Sequence, residues 1–241
     1  MTISERPLEA DVQSDFAMAA AGAPIASKAL SAVVIACYLV IGAVAFWPLF
    51  PGMTHNLYGV DADYEQSVWF IAWIPHALAH GLNPFFSNSL YVPTGVNLAA
   101  NQASPLLGLL TVPLVPLLGA VARTNLLMGL AMPLSATAAF IVLRKWQVWL
   151  PAAAIGGLVY GFSPYMVGQA LGHVQMLFVP VLPFIAWTLV SIVRGSGSPM
   201  RLGLQLGLLI VAQYMIFVDV LAPFSAPSAV KYGMSAGDHR L

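Results

Sequence analysis

From Gln66 to Ala122 the chain contains no Asp, Glu, Lys or Arg. So long a stretch without a formal charge severely limits what can fold in water. Soluble domains carry about 25% charged residues and about 45–50% apolar ones. Here the charged fraction is 7% and the hydrophobic fraction 59%. The chain therefore reads as an all-α polytopic membrane protein. Its formal net charge is zero, so composition gives no reason to expect a nucleic-acid partner. The single cysteine, Cys37, lies in an apolar run and excludes a disulfide framework or a thiolate metal cluster.

A membrane-crossing helix needs about 20 apolar residues, since ~1.5 Å per residue must cover ~30 Å of hydrocarbon. Five stretches qualify: Ala29 to Phe50, Thr124 to Leu143, Leu150 to Leu171, Val174 to Val193, and Leu202 to about Leu221. A shorter run, Ser104 to Leu118, is interrupted by Pro113 and Pro116 and is expected to lie in the interface. Residues 1–28 form a polar tail, 29–221 the membrane domain, and 222–241 an irregular C-terminal tail. Lys28, Arg144, Lys145, Arg194 and Arg201 all fall on one side if these spans alternate. The positive-inside rule makes that side cytoplasmic. The expected location is the bacterial inner membrane, with the N-terminus inside and the loop 51–120 outside.

That outer loop opens with "GVDADYEQ", which places Asp61, Asp63 and Glu65 within five residues. A helix is expected to follow, with Asp63 as its N-cap and Gly81 as its stop. At about 100° per residue, Glu65, Trp69, Ala72, His76 and His80 share one narrow stripe. One polar stripe with two tryptophans suits an interfacial helix. The simplest account of the acidic cluster is a capped, solvated loop. Three carboxylates exceed what capping requires, and a functional site is the competing account. His76 and His80 have the spacing of a metal pair but no third ligand adjacent in sequence, which favours a polar helix face. Asn83, Asn97, Asn101 and Gln102 either close their own turns or hold a polyol. His173 and Gln175 meet at the outer turn between the third and fourth spans, and Asp219 ends the fifth. Ionisable residues at membrane depth are expensive and are functional candidates.

Several phrases carry a family resemblance: "DYEQSVWFIAWIPHALAHGLNPFF", "YVPTGVNLA", "PLLGLL" and "GFSPYMVGQALGH". Together they resemble bacterial membrane glycosyltransferases of the GT-C type, over roughly Ser31 to Gln213. The resemblance implies transfer of a sugar from a polyprenyl-phosphate donor to an unidentified cell-envelope acceptor, on the non-cytoplasmic face. It places the acidic pair of the first outer loop on Asp63 and Glu65, with Asp61 beside them, and the residue of a later outer turn on His173. On that reading Asp63 is the general base that takes the acceptor hydroxyl proton. Glu65 orients the acceptor or holds a divalent cation against the leaving phosphate. Asp61, His173 and Gln175 are substrate-binding, Trp69 lines the path of the isoprenoid chain with Trp73, Phe85 and Phe86, and Arg123 faces the phosphate. Enzymes of this type generally have more than five spans, so the chain is expected to be the N-terminal part of a longer one. The competing expectations are a transporter-like or assembly subunit whose carboxylates bind an ion, or an inactive truncated remnant.

Overall fold

The computed structural model describes residues 24–57, 62–100 and 103–221. Five helical stretches in it are long and apolar enough to cross a membrane. They comprise α1 (Pro24–Ala45), α4 (Ala120–Lys145), α5 with α6 (Leu150–Gly161, Pro164–Gln169), α7 with α8 (Val174–Leu177, Leu182–Val193), and α9 (Pro199–Ile216). Between α1 and α4 come α2 (Ala62–Ala79), a two-residue antiparallel hairpin of β1 (Phe86–Ser87) and β2 (Val96–Asn97), and α3 (Pro105–Leu110).

Helix ends follow local chemistry. The first span stops at Ala45, short of the expected Phe50, because Pro48 and Pro51 turn the chain into a 3-10 segment over Trp47–Gly52. Helix α4 begins four residues before the expected Thr124, and so takes in Arg123. The fifth span is shifted towards its N-terminus, ending at Ile216. The expected helix over 104–118 is helical only across Pro105–Leu110; Pro113 then holds the chain in a 3-10 turn, Val112–Leu114. Asp63 is not the N-cap of α2. The helix already includes Ala62, and Asp63 and Glu65 both occupy its first turn, where the helix dipole favours negative charge. At the other end Gly81 adopts φ +65°, and the Leu82 amide donates to the Ala77 carbonyl at 2.8 Å, closing the helix in a Schellman-type stop.

Helix α4 is the centre of the bundle. Within its most apolar window 61% of residues are buried, against 11% for α1 and for α9. Met128, Ala131 and Met132 of α4 pack with Tyr64 and Ile71 of α2 and Leu177 of α7. The outer helices instead expose Val33, Val40 and Val44 on α1, and Leu204, Leu208 and Val211 on α9. Apolar faces of that extent would drive association in water, whereas hydrocarbon solvates them without cost.

Two close approaches set the packing. On α5, Gly157 and Gly161 lie against Ala136 of α4. A Cβ on Gly161 would stand 2.6 Å from the Ala136 backbone nitrogen, and one on Gly157 2.7 Å from the Ala136 carbonyl oxygen. This small-xxx-small contact lets two backbones touch where hydrophobic association offers nothing in lipid. In the segment between α1 and α4, Pro75 deprives the Ile71 carbonyl of its usual helical donor. At that turn α3 presents Gly108, whose absent Cβ would lie 2.8 Å from the Ile74 side chain and 3.3 Å from the Ile71 oxygen.

Candidate functional site

Helix α2 enters the bundle beside the start of α4 and the α6–α7 turn. Asn125 of α4 organises this junction. Its side-chain amide donates to the carbonyls of Met53 at 2.8 Å and Asn56 at 2.9 Å, and its oxygen accepts from the Tyr64 hydroxyl. Asn125 is 1% exposed, and so is Tyr64. Both are buried polar groups whose desolvation is offset by these bonds. The result is that residue 64, and with it the first turn of α2, is held in place on the central helix.

One position earlier, the Asp63 carboxylate meets His173. The distance from Asp63 Oδ2 to His173 Nε2 is 3.1 Å, across 110 residues of sequence. It is the only ion pair among the described residues. The Asp63 side chain is 57% exposed and that of His173 25%, so the carboxylate remains open to a reactant while the imidazole is partly sheathed. A carboxylate only accepts hydrogen bonds, so the contact places a hydrogen on His173 Nε2. His173 Nδ1 is buried and has no partner among the described residues.

A second layer fixes the pair. The Ser67 hydroxyl lies one turn after Asp63, 2.9 Å from the Asp63 carbonyl oxygen, and 3.0 Å from the side-chain amide of Gln175. Ser67 and Gln175 are both 4% exposed. One hydroxyl hydrogen serves both contacts when the Gln175 amide turns its nitrogen towards Ser67, so that Gln175 donates to Ser67 and Ser67 to the carbonyl. Asp63, one helical turn before Ser67, and His173, two residues before Gln175, thus flank a buried hydrogen bond that links the same two segments.

Three of the seven residues singled out from the sequence, Asp63, His173 and Gln175, are brought together. Glu65 is not. It lies about 200° from Asp63 around α2 and points to the exposed stripe. That stripe is a ladder of rings. Trp69 stacks on Trp73 with centroids 5.3 Å apart, Trp73 approaches His76 at 5.7 Å, and His76 lies 4.2 Å from His80. Trp73 is buried and donates from its indole to the Pro84 carbonyl at 3.1 Å, so it does not line an open path. The half-buried Trp69 has its face against Trp73. Arg123 is 5% exposed; its Nη1 donates to Thr111 at 3.1 Å, and its Nε is buried without a partner among the described residues. Asp61, Asn101 and Gln102 lie outside the described residues. Asn83 and Asn97 close their own turns, each accepting at 2.9 Å from the amide two residues on.

Among the described residues no group of three His, Cys, Asp or Glu side chains is placed to hold a cation. Asp63 and Glu65, on opposite sides of their helix, do not converge, and His80 turns its Nδ1 to the His76 carbonyl at 2.8 Å.

No protein-family model, curated protein or solved structure matches the chain. The site itself carries the functional argument.

Ser67, Tyr64 and Asn125 were not legible as site residues. An Asn inside an apolar span is a recognisable signal, because polar side chains there pair with other segments. Ser67 carries no comparable signal, since serine on a helix is commonplace.

Proposed function

We propose that the protein is a membrane glycosyltransferase that moves a sugar from a polyprenyl-phosphate donor to a hydroxyl acceptor of the cell envelope. The Asp63–His173 pair carries this reading: an accessible carboxylate held by an imidazole at the end of an apolar bundle, where a lipid-linked donor presents its sugar. In the reaction the acceptor oxygen bonds to the anomeric carbon as the bond from that carbon to the phosphate oxygen breaks. The acceptor's proton passes to Asp63, and the phosphate leaves on its lipid with the electron pair. His173 is a positioning residue, which keeps the carboxylate aimed and its charge partly compensated. Arg123, which the resemblance assigns to the phosphate, is buried against Thr111 and is not among the residues gathered at the pair, so the cation for the departing phosphate is not assigned to it. On the same reading the membrane is a bacterial inner membrane, and the site lies on its non-cytoplasmic face.

The test is sugar transfer from radiolabelled polyprenyl-phosphate sugars in membranes, at matched protein levels. Asp63→Asn keeps the size and removes the proton acceptor, and a positioned base contributes about 10²–10⁴-fold to rate. Transfer falls by that factor in Asp63→Asn and by much less in Glu65→Gln, which sits on the opposite side of α2. Near-normal turnover in Asp63→Asn would remove Asp63 from the chemistry. Loss in Glu65→Gln alone would move the base to the exposed stripe.

A further inference from the structure

At the same end of the bundle as the Asp63–His173 pair, a cavity of about 630 Å³ opens between α5–α6 and α7–α8. It is bounded below α9 by the 3-10 turn Val218–Leu221. That volume lies in the ~300–1,000 Å³ range of ligand pockets and is far larger than one ion or water needs. Its walls are mostly apolar, from Val159, Met166, Met176, Val179, Leu182 and Phe217, and the exposed Tyr165 adds one phenol hydroxyl. The Tyr160 hydroxyl that borders it is already committed, donating to the Val179 carbonyl at 2.9 Å. The Ser163 hydroxyl accepts from the Met166 amide at 3.4 Å and caps α6.

One charged group lines this cavity, and it is Asp219. It is exposed, and among the described residues no Lys, Arg or His lies within 4.0 Å of it. An apolar throat with a carboxylate at its rim that no cation among the described residues offsets discriminates by charge. It repels a lipid head of net negative charge and leaves its carboxylate unused against one without a cationic donor. An alkyl chain ending near an ammonium group satisfies both parts: the chain fills the throat, and N–H donors pair with the carboxylate in a charge-assisted bond. The location agrees. The lining runs from mid-span residues such as Val159 and Leu182 to Asp219, just past the stretch 199–216, where a span gives way to the headgroup level.

We propose that this cavity binds one chain of an ammonium-headed phospholipid, with Asp219 taking the ammonium. The occupant stands directly beside the candidate site. Helix α7 presents Met176 to the cavity, while the preceding Gln175 bonds Ser67 behind Asp63. This assignment does not depend on glycosyl transfer. It also disfavours the glycosyl donor in this cavity, because a polyprenyl-phosphate head is net anionic, as Asp219 is, and has no ammonium to offset it.

The experiment measures lipid retention by the purified full-length chain, using native mass spectrometry after exchange into a mild detergent. Phosphatidylethanolamine, phosphatidylcholine and phosphatidylglycerol with identical acyl chains are offered in competition, with a polyprenyl phosphate as a fourth arm. A charge-assisted hydrogen bond is expected to favour the ethanolamine headgroup over the glycerol one about tenfold. The trimethylated choline headgroup, cationic but without N–H donors, falls between them. In Asp219→Asn the ethanolamine preference collapses to within about twofold, with total lipid retention preserved by the apolar walls. Leu182→Trp, which fills the throat, lowers retention of every headgroup. Equal retention of all headgroups by the wild type overturns the proposal, as does an unchanged preference in Asp219→Asn. Preferential retention of polyprenyl phosphate overturns it too, and would give the cavity to the donor chain.

Discussion

At Asn125 a single amide holds three segments together: the turn after α1, the first turn of α2, and α4 itself. Replacing Asn125 with Leu leaves the Met53 and Asn56 carbonyls without this donor inside the bundle. Interhelical polar contacts in membranes average ~0.6 kcal/mol and reach ~1.7, so losing three contacts is expected to cost about 1–3 kcal/mol. Reversible unfolding in detergent would measure it, and a cost within error of zero would mean that other packing holds α2. His173 makes a sharper case. His173→Gln retains an N–H that reaches Asp63, and His173→Leu does not. If His173 positions the carboxylate, the Gln variant keeps a substantial part of the kcat of transfer and the Leu variant loses most of it, with KM for the acceptor little changed in either. Equal losses in both variants would indicate that the imidazole itself takes part in proton transfer.

Helices here are shaped by what their neighbours allow. The α4–α5 contact depends on Gly157 and Gly161 accepting the α4 backbone at Ala136. Gly161→Leu forces that backbone away, and overpacking of this kind costs ~1–3 kcal/mol. Gly168→Leu, where a Cβ meets nothing within 4 Å, is the matched control and is expected to be close to neutral. Comparable losses of thermal stability in both variants would show that the α4–α5 interface is softer than its geometry indicates. The two spans that follow α4 are each broken near the site, α5–α6 at Phe162–Ser163 and α7–α8 at Phe178–Val181. Pro164, Pro180 and Pro183 account for the breaks, since each removes a helical N–H. His173 itself stands between the two spans, in the turn that joins α6 to α7.

For the whole molecule, the arrangement of ends is the testable property. The Asp63–His173 pair marks one end. Lys145 marks the other, where α4 ends and its ammonium lies 4.3 Å over the Trp187 ring of α8. Arg194 and Arg201 flank the α8–α9 connection. The bias of Lys and Arg predicts that this second end is cytoplasmic. Ser89 and Ser198 are both exposed, the first in the hairpin segment and the second before α9. In a Cys37→Ala background, Ser89→Cys is expected to react with an impermeant maleimide in intact spheroplasts, and Ser198→Cys only after lysis. The reverse pattern would invert the orientation and place the candidate site in the cytoplasm.

The five spans were legible, though not their ends, because lipid demands that every segment satisfy its own backbone, which makes hydropathy a local property. The α2 stop at Gly81 and its exposed stripe were equally local, since 3.6-residue periodicity and one left-handed glycine suffice to encode them. Other features required the packed bundle. Asp63 and Glu65 look like a pair in sequence, yet adjacent positions on a helix face different ways, and only Asp63 finds a partner. His173 and Gln175 reach α2 because two proline-broken spans turn beside it, and Arg123 is buried because α4 starts a turn early and α3 folds over it. Periodicity along one helix states which residues share a face. Which faces meet, across 110 residues, is decided by crossing geometry and by where small residues let backbones touch.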